Sequence, residues 1–85
     1  MKSKPTNTDV RKTIGRNITQ LLADRQWSQH RLAQETGDPE MTISRVARGI
    51  NVPGAGLLLR IADCLGVTTD DLLRRPQKNS RKISG

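Results

Sequence analysis

The run Thr36-Gly37-Asp38-Pro39-Glu40 leaves the chain few choices. Gly37 can adopt the positive φ that ends a helix, Asp38 has a side chain suited to capping one, and Pro39 fits a first helical turn. One helix therefore stops and another starts almost at once, and two helices joined so tightly cross at a steep angle. Apolar residues on both sides fall at helical spacing, Leu32 and Ala33 before the turn and Ile43 and Val46 after it. The segments read as a helix from its cap Ser28 to Gly37 and a helix from Pro39 to Arg48, stopped by Gly49.

The same punctuation repeats along the chain. Val10, Ile14, Ile18, Leu21 and Leu22 make one stripe, which predicts a first helix capped by Asp9 and running to Arg25. Gly15 interrupts it at a local cost of about 1 kcal/mol relative to Ala. A loop holding Pro53, Gly54 and Gly56 precedes a fourth helix over 57–66, with Leu58, Ile61, Ala62 and Leu65 on one face. A short fifth helix follows, with Thr68 and Asp71 spaced as a capping box and Leu72 and Leu73 as anchors. With one Trp and no Phe or Tyr, the core must be aliphatic, and alternating β-branched runs are absent. The expected fold is all-α, a compact bundle of about five short helices. Trp27 is expected in the core, Cys64 partly buried and His30 exposed.

At 85 residues there is room for one domain. The division expected is a flexible basic arm over 1–8, a folded domain over 9–75 and a flexible basic tail over 76–85. One Cys and one His give no material for a cysteine zinc cluster or a metal-ligand set, so neither an enzyme nor a cofactor is expected. No apolar run is long enough to cross a bilayer and the Lys-rich start lacks a signal peptide's apolar segment, so the expectation is a cytoplasmic protein with no membrane partner. The net charge of +7 is unevenly placed. Lys2, Lys4, Arg11 and Lys12 against Asp9 give residues 1–12 a net +3, and Arg74, Arg75, Lys78, Arg81 and Lys82 give residues 74–85 a net +5. The stretch between carries −1, which predicts a nearly neutral domain with basic ends that reach for a polyanion.

The paired helices joined by a Gly-containing turn are the layout of a helix-turn-helix, whose second helix enters the DNA major groove. In register with that layout stand Ser28, Gln29, Leu32, Ala33, Gly37, Thr42, Ile43, Ser44, Arg45, Gly49, Pro53, Leu58, Ile61, Ala62, Leu65, Gly66 and Val67. With these residues the chain resembles the lambda-repressor/Cro (XRE-type) family of transcriptional regulators over residues 9 to 74. The resemblance implies a sequence-specific regulator of double-stranded DNA, most often a repressor, that binds an inverted-repeat operator as a homodimer, at least on DNA.

Site residues follow by position. Gln29 matches the residue that bonds a phosphate and buttresses the reading helix. Glu40, Met41, Thr42, Ser44 and Arg45 hold the front and groove-facing side of that helix. Arg45 suits guanine, Glu40 the amino group of cytosine and Met41 a thymine methyl. Arg48, Ile50 and Asn51 stand where relatives touch the backbone, which positions without reading sequence. Asp38 departs from the usual apolar turn residue and is expected to turn outward and cap the third helix through the amides of Glu40 or Met41. Ala47 replaces a frequently acidic residue. The exposed members of the set Leu57, Leu59, Leu72 and Leu73, on the fourth and fifth helices, are the expected dimer contacts. The other readings are a DNA-binding antitoxin or adaptor for a protein partner, and a restriction–modification controller.

Overall fold

The computed structural model describes residues 6–75. Residues 1–5 of the expected arm and the expected tail over 76–85 lie outside the described residues. Five helices follow in order: α1 (Asn7–Arg25), α2 (Gln29–Thr36), α3 (Glu40–Ala47), α4 (Ala55–Leu65) and α5 (Thr69–Leu73). Among the described residues there is no strand.

The helices close a ring of contacts: α3 packs on α1, α1 on α5, α5 on α4, α4 on α2 and α2 back on α3. Inside the ring lies the aliphatic core of Ile14, Ile18, Leu22, Leu32, Ile43, Val46, Ile61, Leu65 and Leu72, with Ala33, Ala47 and Ala62 where helices approach. Each large aliphatic side chain buried there contributes about 1.5–3 kcal/mol relative to exposure. Trp27 is half-buried at the rim of this core rather than inside it. The Arg31 guanidinium lies 4.3 Å from the centre of its ring. Cys64 is partly buried, as expected, and burial pushes its thiol pKa up.

Three helix starts differ from the sequence reading. α1 is capped by Thr6, whose hydroxyl accepts from the Asp9 amide, while the Asp9 carboxylate accepts from the Thr6 amide. Asp9 is thus the third helical residue of a capping box and not the cap, because Thr6 supplies the reciprocal partner one turn earlier. α4 begins at Ala55, since Gly54 is extended and its carbonyl already accepts from the Leu58 amide. The third difference, at α3, concerns the interface. α5 is capped as expected by Thr68 with Asp71, and those hydrogen bonds hold the Asp71 carboxyl below the usual range.

Long-range hydrogen bonds satisfy carbonyls at helix ends, where four acceptors are left without helical partners. The Asn17 amide nitrogen on α1 lies 2.8 Å from the carbonyls of Leu72 and Arg74 at the end of α5. Arg25 donates to the Leu65 carbonyl at the end of α4, and Thr19 donates to the Ala47 carbonyl at the end of α3. Gly15, which propensity alone marks as a weak spot, is where α1 meets α3: a Cβ there would stand 2.8 Å from the Ala47 carbonyl oxygen and 2.9 Å from the Gly49 nitrogen. No side chain fits between those backbones.

Candidate nucleic-acid interface

The connection between α2 and α3 sets where α3 lies. Gly37 ends α2 at φ +82°, with its amide on the Ala33 carbonyl. Pro39, extended at φ −61° and ψ 143°, takes the N-cap position of α3, and no side chain caps that helix. The expectation that Asp38 caps α3 is therefore corrected. Standing one residue before the cap, Asp38 turns back over α4, where Arg60 donates to both carboxylate oxygens at 2.9 and 3.1 Å. The side chain is only 16% exposed. Hydrogen bonds from Arg60 hold its carboxyl below the usual range, and the same contact raises the pKa of Arg60. This fork ties the turn to α4 and so fixes the direction in which α3 leaves it.

The far end of α3 is held as firmly. Gly49, at φ +77°, is in the left-handed region, and the Gly49 and Ile50 amides bond the carbonyls of Val46 and Arg45. That is a Schellman stop. Arg11 of α1 donates to the Ile50 carbonyl at 3.0 Å and pins the loop beyond.

Held at both ends, α3 buries Ile43, Val46 and Ala47 and turns its other face outward. Ala47 meets α1 in the core, so an apolar residue fits where an acid is frequent. On the outward face Glu40, Met41, Ser44, Arg45 and Arg48 line one open depression. Met41 is 64% exposed, the most exposed of the large apolar side chains among the described residues. Thr42, half-buried, lies outside that depression, as do Gln29 at the first turn of α2 and the exposed Asn51 in the loop. Arg45 and Arg48 have no protein partner among the described residues. Glu40 has one. His30 of α2 places Nδ1 2.9 Å from Glu40 Oε1, and because the carboxylate accepts, Nδ1 is assigned the hydrogen. His30 is exposed as expected, yet this link from α2 to the front of α3 escaped the sequence reading.

Arg16 went unrecognised, and Lys12 was counted only with the basic N-terminal end. Lys12 and Arg16, one turn apart on α1, line a second depression with Gly15, Thr19, Gln20 and Arg48. Their i, i+4 spacing on the polar side of the stripe was a visible signal, but the balance of charge over the domain hid it. Leu72, in contrast, is withdrawn from the expected dimer contacts. It is fully buried, the anchor of α5, whereas Leu59 and Leu73 are 53% and 45% exposed and Leu57 is half-buried.

Among the described residues, no cluster of His, Cys, Asp or Glu could hold a metal ion, and no helix is long and apolar enough to cross a membrane. The family model of the Cro/C1-type helix-turn-helix DNA-binding domain matches residues 17–78. No match is found among curated proteins. A hypothetical transcription factor from Neisseria superposes with a TM-score of 0.78 at 27% identity, over 92% of this chain and 90% of that one. Two solved structures of lower identity share the fold. The SOS-response transcriptional repressor LexA of Eubacterium rectale superposes with a TM-score of 0.77 at 20% identity, over 87% of this chain and 79% of that one. An HTH_3 family transcriptional regulator of Vibrio cholerae superposes with a TM-score of 0.73 at 24% identity, over 79% of this chain and 38% of that one. Two packed helices joined by a tight turn, an outward-facing second helix and a family match over most of the chain agree: the protein belongs to the Cro/C1-type helix-turn-helix family of DNA-binding transcription regulators rather than to any class of enzyme.

Proposed function

We propose that the protein represses transcription by occupying an inverted-repeat operator as a dimer, with α3 of each protomer in a major groove. One observation carries this reading: Glu40, Met41, Ser44, Arg45 and Arg48 project together from the outward face of a helix held at both ends. In such a unit the front of the second helix lies deepest in the groove. Glu40 then accepts from a cytosine amino group, Met41 lies against a thymine methyl, and Arg45, one turn on, pairs bidentately with guanine. Thr42 and Ser44 flank these contacts. Gln29, Arg48 and Asn51 contact phosphates and set the register.

His30 supports the role given to Glu40. A bare carboxylate facing a polyanion is repelled, and a donor on one of its oxygens restrains the side chain while leaving the other oxygen to read. One domain offers few base contacts, so discrimination comes from two copies on half-sites about one helical turn apart. Leu59 and Leu73 are the exposed apolar residues proposed to meet across that dimer.

Selection of bound duplexes from a random library at near-physiological salt, followed by sequencing, tests the reading. An enriched inverted repeat whose preference is lost in Arg45→Ala is the expected result. A pool without a motif would overturn operator reading and favour an adaptor for a protein partner. Sedimentation of Leu59→Asp on the enriched duplex tests the dimer, which is expected to give way to a single protomer bound per duplex; two protomers still bound together would overturn the Leu59 contact.

A further inference from the structure

The cations of the domain divide into two sets. Arg11 donates to the Ile50 carbonyl, Arg25 to the Leu65 carbonyl, Arg31 to Glu35 and Arg60 to Asp38, and Arg74 pairs with Asp71. Among the described residues, Lys12, Arg16, Arg45, Arg48 and Arg75 have no such partner. These five are contiguous. Arg45 and Arg48 line the depression on α3, Arg48 lines the next one with Lys12 and Arg16, and Lys12 and Arg16 line a third with Arg75. The two acids along this path are turned to internal partners, Asp9 to the Thr6 amide and Glu40 to His30.

We infer that this path is a phosphate-contacting track, on which Lys12 and Arg16 of α1 hold the backbone of the same duplex whose groove α3 enters. The inference rests on the reading of α3 as the groove-entering helix and extends it to a second helix. Gly15 makes the track continuous. Because it has no side chain, α1 lies directly against the Ala47 carbonyl and Gly49 nitrogen, which sets Lys12 and Arg16 beside Arg48. The two α1 cations stand one turn apart, about 6 Å along the helix axis. One DNA strand carries a charge about every 3.4 Å of axis, so the two cations serve separate phosphates. A cation already bonded to a protein acceptor gains less from a phosphate, since its existing partner must first be given up.

The test is the salt dependence of binding by the full chain to two probes, a duplex of scrambled sequence and the duplex enriched from the random library. The double variant Lys12→Gln with Arg16→Gln is expected to lower the slope of log K against log salt by about 2, at about 0.9 per phosphate contact. Its preferred sequence stays that of the wild type. Arg31→Gln, which removes a cation already committed to Glu35, leaves the slope unchanged. Both variants alter exposed side chains, and circular dichroism verifies that they fold. An unchanged slope in the double variant, or an equal fall in Arg31→Gln, overturns the track. The two readings fail separately: a motif with an unchanged slope removes the track and keeps base reading, and a lowered slope without a motif does the reverse.

Discussion

α2 and α3 are both eight residues long and both bury small aliphatic faces, yet they differ in what they do with their polar groups. α2 uses its own. Ser28 caps its first turn, Arg31 pairs with Glu35 and stacks on Trp27, and His30 bonds Glu40. α3 has an uncapped first turn and an exposed Met41, and Arg45 and Arg48 at its end have no protein partner among the described residues. The polar groups that stabilise α2 are of the kinds that α3 holds in reserve. That is the division expected if α3 binds as proposed: its interaction capacity is left to the ligand, and its neighbours supply the rigidity.

Substitutions can break or sharpen this contrast. The largest effect should show no contrast at all: Leu32→Ala in α2 and Ile43→Ala in α3 each remove a fully buried side chain and should each cost about 2–5 kcal/mol in urea unfolding. A much smaller loss at Ile43 would mean that α3 is less firmly docked than its partner. Next come the arginines on the two faces. Arg45→Ala should lose about 1–3 kcal/mol of discrimination at one base pair while leaving stability unchanged. Arg31→Ala should do the opposite, costing a few tenths of a kcal/mol in stability, about the worth of an exposed ion pair, with base preference intact.

Gly15→Ala probes the platform behind α3. Helix propensity favours Ala by about 1 kcal/mol, but the new methyl meets backbone that cannot rotate away. Overpacking of this kind costs about 1–3 kcal/mol, and the expected outcome is net destabilisation by up to about 2 kcal/mol, read as a lowered urea midpoint. Removing the α2 cap with Ser28→Ala should cost about 1 kcal/mol, whereas α3 has no corresponding side chain to lose.

The smallest effect is one of pH. Arg60 depresses the folded-state pKa of Asp38, so the unfolded state binds this proton more readily, and the contribution is complete above the unfolded value. It fades as pH falls from the ordinary aspartate range through the lower folded value. Urea unfolding across that acid window should show a shallower loss for Asp38→Asn than for the wild type. Asp71, depressed for a different reason, keeps some of the slope in both proteins.

Much of the architecture was legible because it rests on local chemistry. The five helices, the stops at Gly37, Gly49 and Gly66, and the Thr68 and Asp71 capping box follow from spacing and conformational preference. The Asp38 contact was not legible, since a capping residue and a residue beside a cap look alike until the backbone of Pro39 decides between them. Leu72 and Leu73 could not be separated either. Both are leucines in a helix of five residues, and only the packing of α5 on α1 and α4 buries the first and exposes the second.

By itself, the sequence determined which segments are helical, which side of each is apolar, and, Thr42 excepted, which residues stand on the outward face of α3. These depend on interactions within a few residues along the chain. The tertiary structure decided which charges are engaged within the protein. A domain stretch of nearly neutral total becomes a surface with a run of cations, because contacts across the chain, from Arg60 to Asp38 and from Arg25 to Leu65, engage some of its cations and leave Arg16, Arg45 and Arg48, beside Lys12 of the basic end, without partners among the described residues. Net charge is a sum over the sequence, whereas the potential that a duplex meets depends on where in space each charge lies and on what already holds it.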